Sequence, residues 1–277
     1  MFSQIIEMMS YPFMLRAIFV GILIAACAAL LGVSLVLKRY SMIGDGLSHV
    51  GFGALAISIA LNAAPLALSI PIVVLAAFLL LRLSERSKIK GDAAIALIST
   101  SSMAIGVTAV SLTTGMNIDV YNYMFGSILA MSKGDVWLSV ALALVVLFLY
   151  IFFYTKIFAV TFDENYAKAT GTKSGIYNML IAFLTAITIV LGMRLMGALL
   201  ISSLIIFPSL TSMRVFKSFK KVTISSVILS VVCFLIGITI SYIYSTPAGA
   251  SVVIVNIIAF LGFWCASFVI SNKKAKI

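Results

Sequence analysis

The sequence has few charged residues. Only 10% of its 277 residues are Asp, Glu, Lys or Arg, whereas 63% are hydrophobic, and the mean hydropathy is +1.22. Water-soluble domains carry about 25% charged residues, because a surface that faces water has to be polar. The composition therefore excludes a soluble fold and leaves no room for a soluble catalytic domain.

Histidine and cysteine are also scarce, with one histidine and three cysteines in the chain. Cys27, Cys233 and Cys265 all lie in apolar stretches, which argues against a disulfide framework and against a thiolate metal site. The chain has no Gly-x-x-x-x-Gly-Lys-Ser/Thr loop, so it cannot hydrolyse ATP by the P-loop mechanism. Energy for any active process must come from a partner subunit or from an ion gradient.

Long apolar runs are abundant. A hydrocarbon core about 30 Å thick takes about 20 apolar residues per helical span, and we predict that eight or nine of the nine runs cross the membrane. The sequence thus predicts an all-α, polytopic transmembrane helical bundle, a single domain over residues 1–277. The runs cover residues 13–37, 43–61, 66–83, 93–112, 136–154, 176–193, 197–213, 222–244 and 251–270.

The net charge of +11 does not indicate a nucleic-acid-binding protein, because the nineteen Lys and Arg residues occur in short clusters between apolar runs. Basic clusters of this kind are typical of the cytoplasmic loops of membrane proteins. With nine spans all of them fall on one side, which predicts an external N-terminus and a cytoplasmic C-terminus. The clusters lie at residues 38–39, 82–90, 156–173, 214–221 and 273–276.

Residues 121–132 are apolar but too short to cross the bilayer. They follow Asp119, which we expect at an external turn. A re-entrant or broken helix near a pathway and a short helix resting on the outer interface are equally compatible with this pattern.

The single histidine, His49, follows Asp45 by four residues, so both side chains lie on one side of a helix. Ionisable groups inside a membrane span are costly unless they face the bundle interior or a wet cavity. A carboxylate and a neutral imidazole suit zinc, manganese or ferrous iron. The alternative is that the two side chains bond each other or backbone carbonyls and only hold helices together. Gly44, Gly46, Gly51 and Gly53 surround the pair and indicate close helix packing.

The segment Gly44-Asp45-Gly46-Leu47-Ser48-His49 resembles the Gly-Asp-x-x-Ser-His signature of the metal-specific ABC transporter permeases, which import zinc, manganese or iron. Here Gly46 and the run Val50-Gly51-Phe52-Gly53 replace the usual Ala and Ala-x-x-Pro-Gly. The resemblance spans nearly the whole chain, through Gly91-Asp92-Ala93-Ala94-Ile95-Ala96, Tyr123-Met124-Phe125-Gly126-Ser127-Ile128-Leu129, Phe162-Asp163-Glu164-Asn165-Tyr166-Ala167-Lys168-Ala169-Thr170-Gly171, the segment from Gly197 to Pro208, and Pro247-Ala248-Gly249-Ala250.

This resemblance implies a fold of the vitamin-B12-importer type in the bacterial plasma membrane. It implies a homodimer with two copies of a cytoplasmic ATPase that binds ATP, and an extracytoplasmic metal-binding protein that delivers the ion. It also implies that Asp45 and His49 lie on the path of the transported metal, and it implies no covalently bound cofactor.

Residues 161–174 form the longest polar segment and lie on the predicted cytoplasmic side. Their composition predicts a short helix that Asp163 caps at its start and Gly171 ends. The resemblance implies that this is the coupling helix that docks on the ATPase, with Asp163, Glu164, Ala167 and Gly171 as its site residues. An ordinary solvated loop is the alternative.

Two other functions remain open from the residues alone. One is a gradient-driven secondary transporter or channel in which Asp45 and His49 relay protons. Copurification of an ATPase that is lost when residues 161–174 are altered would favour the ABC permease over this alternative. The other is an intramembrane enzyme with His49 as a base, which lacks a paired nucleophile or a second histidine.

Overall fold

A computed structural model describes residues 2–61, 63–86, 91–112, 126 and 133–274. Every regular element within these residues is an α-helix. The helices are α1 (Phe2–Ser10), α2 (Pro12–Leu37), α3 (Ile43–Ala60), α4 (Pro65–Arg86), α5 (Gly91–Leu112), α6 (Lys133–Phe152), α7 (Tyr154–Phe162), α8 (Glu164–Ala169), α9 (Ser174–Met196), α10 (Ala198–Val215), α11 (Phe219–Tyr244) and α12 (Ala248–Lys274).

Nine of the described helices are long and apolar enough to cross a membrane: α2 to α6 and α9 to α12. The predicted all-α bundle and its spans are therefore confirmed, and the upper of the two predicted counts matches. Most of the observed helices extend a few residues beyond the apolar runs, because polar residues continue the backbone hydrogen bonding at the membrane surface.

The most buried of the described spans are α2, α3 and α9, with 67%, 67% and 72% of their most apolar stretch buried. Helix α2 packs on α6, α9, α10 and α11, and α9 packs on α4 as well. Only 22% is buried in α5, α6 and α12. A helix that is apolar on all sides and still exposed in the folded chain has a surface suited to contact with lipid or with another transmembrane chain.

The two ends of the bundle are distinct. At one end Lys38 approaches Glu164, with 3.5 Å between Nζ and Oε2, and Phe219 stacks near Phe158. These contacts bring three of the basic clusters, at residues 38–39, 156–173 and 214–221, to the same end of the bundle, as the predicted orientation requires. At the opposite end Arg194 Nη2 lies 3.0 Å from Asp135 Oδ2.

The predicted short helix in residues 161–174 is present as α8, and α7 precedes it without a span between them. Helix α1 was not predicted. Of the segment 121–132 only Gly126 lies within the described residues. Its φ of +78° is left-handed, and a Cβ there would collide with the backbone of Met196 and Gly197.

Candidate functional site

Asp45 and His49 lie on successive turns of α3, where 3.7 Å separates Asp45 Oδ2 from His49 Nε2. The Asp45 side chain is 51% exposed and that of His49 is 30% exposed. His49 is six residues from the start of α3, which places it about 9 Å along the helix axis. The pair therefore lies in the half of α3 nearer the basic connections and opens away from the core.

The pair is not locked together by a hydrogen bond, because 3.7 Å exceeds hydrogen-bonding distance. His49 Nδ1 is buried and has no hydrogen-bond partner among the described residues. Two ligand atoms that each bind one ion at about 2.1 Å lie about 3.0 to 3.4 Å apart. A small side-chain rotation brings Asp45 Oδ2 and His49 Nε2 either to that separation or to hydrogen-bonding distance, so the geometry fits a shared cation and a direct contact alike.

The pair supplies two ligands, and the described part of the chain contains no group of three or more His, Cys, Asp or Glu side chains positioned to hold a metal ion. Within the described residues, the pair therefore leaves most of a coordination shell for water or other groups to fill. Such incomplete ligation fits a site that has to release its ion, since tightly closed sites are structural.

The glycines of α3 pack against three different helices. Added Cβ atoms would contact Ile205 of α10 from Gly44, Ile95 of α5 from Gly46, Met193 of α9 from Gly51, and the Ser102 carbonyl of α5 from Gly53. The predicted close approach is therefore confirmed. The four glycines lie on different sides of α3, against α5, α9 and α10, and so fix its place in the bundle.

Residues 161–174 have the predicted local structure. Asp163 Oδ1 accepts a hydrogen bond from the Tyr166 backbone N–H at 2.9 Å and caps α8. Gly171 has a φ of +81° and turns the chain toward α9.

Glu164 ties α8 to the bundle. Its carboxylate accepts hydrogen bonds from Lys168 at 2.8 Å, Asn178 Nδ2 at 3.2 Å and Ser174 Oγ at 3.3 Å, and lies 3.5 Å from Lys38 Nζ. Burial alone would raise the pKa of Glu164. The hydrogen bonds from Lys168 and Asn178 and the charge of Lys38 outweigh burial and lower the pKa to about 2.

The exposed surface of this segment includes two aromatic side chains among polar ones. Ala167 is fully buried, so its side chain packs inward and does not face the cytoplasm. Phe162 is 75% exposed and Tyr166 is 66% exposed. The motif did not single out these two residues, although aromatic side chains within a polar stretch outside the membrane are a usable signal for a contact surface. Asp119 and Tyr121, the acidic turn predicted outside, lie beyond the described residues.

The chain is similar to known transport proteins over most of its length. The model of the ABC 3 transport family matches residues 10–267. The high-affinity zinc uptake system membrane protein ZnuB of Buchnera aphidicola is 31% identical over 257 residues, which cover 92% of this chain and 94% of that protein. The manganese import system permease protein ScaB of Streptococcus gordonii is 28% identical over 264 residues, covering 95% and 93%.

The fold comparison agrees with the sequence comparison. A chain in the structure of PsaBC from Streptococcus pneumoniae in complex with Fab superposes with a TM-score of 0.84 and 26% identity, covering 95% of this chain and 94% of that one. The family model over residues 10–267 and the shared fold thus lead to one assignment: the chain belongs to the ABC 3 transport family.

Proposed function

We propose that the chain is the permease subunit of an ABC importer that moves a divalent transition metal ion into a bacterial cell. Family membership supports the transport role, and the zinc and manganese relatives support the class of cargo. The observation that carries the proposal is the open Asp45–His49 pair on α3, in which a carboxylate oxygen and an imidazole nitrogen lie 3.7 Å apart and both side chains are partly exposed. Carboxylate and imidazole ligands suit zinc, manganese and ferrous iron.

The ion passes Asp45 and His49 on its way toward the cytoplasmic end of the bundle. The carboxylate compensates the ion's charge where water is partly excluded, and the imidazole replaces one water ligand. Because this chain supplies two ligands, the ion remains labile enough to leave when the pathway opens inward.

A second copy of the chain completes the pathway. Helix α3 packs against α5, whose surface carries exposed hydroxyls at Thr100, Thr108 and Ser111. Each hydroxyl donates to a carbonyl one turn back, at 2.7 to 2.8 Å. Their oxygens retain lone pairs that suit a wet interface between two copies better than contact with acyl chains.

A separate ATPase subunit binds at α8 and hydrolyses ATP. Phe162 and Tyr166 offer an apolar contact at the cytoplasmic end, while Asp163, Glu164, Ala167 and Gly171 give the segment its shape. An extracytoplasmic metal-binding protein delivers the ion at the opposite end of the bundle.

The test is metal uptake by cells that lack their own manganese and zinc importers and express the chain with its ATPase and binding protein. Asp45→Ala, Asp45→Asn and His49→Ala should each reduce uptake of radioactive manganese or zinc by at least about tenfold, since the alanine variants remove one of two ligands and Asp45→Asn removes the negative charge. Ile59→Ala, at an exposed position on the same helix, should transport normally. Normal uptake by the Asp45 and His49 variants, at equal amounts in the membrane, would refute the metal pathway.

A further inference from the structure

Asn178 lies in the second turn of α9, at the end of the bundle where the basic clusters lie, and is 6% exposed. Its side-chain amide contacts two other helices. The Oδ1 atom accepts a hydrogen bond from Lys38 Nζ at the end of α2, and the Nδ2 atom donates one to Glu164 Oε2 on α8 at 3.2 Å. One side chain therefore connects α2, α8 and α9.

Both of these hydrogen bonds involve a charged group, the Lys38 ammonium as donor and the Glu164 carboxylate as acceptor. Charge-assisted hydrogen bonds are about twice as strong as neutral ones, and a buried site strengthens them because its effective dielectric constant is low. The Lys38 side chain is only 12% exposed. An amide can accept from one neighbour and donate to the other in only one orientation, so the three side chains hold one another in a single arrangement.

The connection from α8 to α9 reaches deeper into the bundle than the chain itself does. Ser174 Oγ donates to Glu164 Oε1 at 3.3 Å, but Ser174 is the first residue of α9 and follows α8 closely in the chain. Asn178 holds α8 to the next turn.

Helix α9 is the most buried of the described spans and packs on α2, α3, α4 and α10. Its Met193 side chain lies against Gly51 of α3, two residues after His49. A displacement that reaches α9 therefore reaches the helix that carries the Asp45–His49 pair.

We propose that Asn178 is a positioning residue that makes α9 move with α8, so that metal transport follows ATP hydrolysis. This inference rests on the proposed function, because it requires an ATPase bound at α8. Phe162 and Tyr166 are exposed, whereas Asn178 is buried, so a change at Asn178 leaves the docking surface intact. Without the amide the ATPase still binds and hydrolyses ATP, but α9 no longer follows α8.

The experiment reconstitutes the full chain with its ATPase and binding protein in liposomes and measures the number of ATP molecules hydrolysed per manganese ion transported. Asn178→Ala should raise this ratio about tenfold, while copurification of the ATPase stays unchanged. Asn256→Ala in α12 is the matched control. Asn256 is 1% exposed, and its amide donates to the Val252 carbonyl of the same helix at 2.9 Å, so the control should keep the ratio of the unaltered chain.

Asn178→Leu separates the lost hydrogen bonds from a lost side chain. Asn178 borders a cavity of about 160 Å³ whose walls include Leu35, Ile181 and Ala182, and this space accommodates the larger apolar side chain. Asn178→Leu should raise the ratio as Asn178→Ala does.

An unchanged ratio in both Asn178 variants would overturn the inference. Loss of the ATPase from either variant would overturn it too, by assigning Asn178 to docking. If the unaltered chain transported no metal or bound no ATPase, the proposed function itself would fail.

Discussion

Replacing Gly53 by alanine should push α5 away from α3, the helix that carries Asp45 and His49. A Cβ at Gly53 would lie 2.5 Å from the Ser102 carbonyl oxygen, whereas ordinary contact begins at 3.4 Å. The neighbouring backbone must therefore move by about 0.9 Å. Gly106 of α5 faces the same point, since its own Cβ would lie 2.7 Å from Gly53 Cα.

The expected cost is the balance of two effects. Overpacking of this kind costs about 1 to 3 kcal/mol, and removing a helical glycine gains about 0.5 to 1 kcal/mol. Gly53→Ala should therefore lower the free energy of unfolding by up to about 2.5 kcal/mol. Circular dichroism of the purified full chain in detergent, followed through thermal or denaturant unfolding, measures the difference.

Gly262 of α12 provides the matched control, because a Cβ there meets nothing within 4 Å. Gly262→Ala should raise the stability by about 0.5 to 1 kcal/mol through helix propensity alone. If Gly53→Ala proved as stable as Gly262→Ala, the close approach of α3 and α5 would be refuted.

Three further predictions concern the two ends of the bundle. Glu164→Gln should lower stability at pH 7 by about 1 kcal/mol, a small value because the partly exposed ion pairs of Glu164 are screened by solvent. The folded-state pKa of Glu164 is depressed from 4.5 to about 2, so this contribution is complete above pH 4.5. Denaturation at stepwise lower pH should show the stabilities of Glu164→Gln and the unaltered chain converging as the pH falls toward 2. Serine at both Phe162 and Tyr166 should leave unfolding unchanged but abolish copurification of the ATPase, and retention of the ATPase would exclude this docking surface. Asp135→Asn should lower the unfolding free energy by about 1 to 3 kcal/mol, because Arg194 loses its charged partner; unchanged thermal unfolding would contradict that role.

The spans were predictable because the membrane imposes a length and a composition on each one. The Asp45–His49 arrangement was predictable for a similar reason, since four-residue spacing places two side chains on one side of any helix. The cap at Asp163 and the turn at Gly171 are also local, and both were predicted from residue type.

Long-range partners were not predictable from a single sequence. Lys38 and Glu164 are 126 residues apart and Asp135 and Arg194 are 59 apart, so their pairing depends on how the helices pack. The glycines of α3 predicted that other helices approach it closely, but the sequence of one helix does not reveal which helix packs on each of its sides. The burial of Ala167 likewise depends on how α8 rests on the bundle.

The ion pair between Lys38 and Glu164 has a mechanical consequence. Lys38 is the C-cap residue of α2, and only residues 39–42 separate it from the first residue of α3. When a bound subunit displaces α8, either this salt bridge breaks or the inner end of α3 shifts with it. A displacement of α8 is thus transmitted through the ion pair to Lys38 and then along the seven residues that lead to Asp45. This path passes through no complete transmembrane segment.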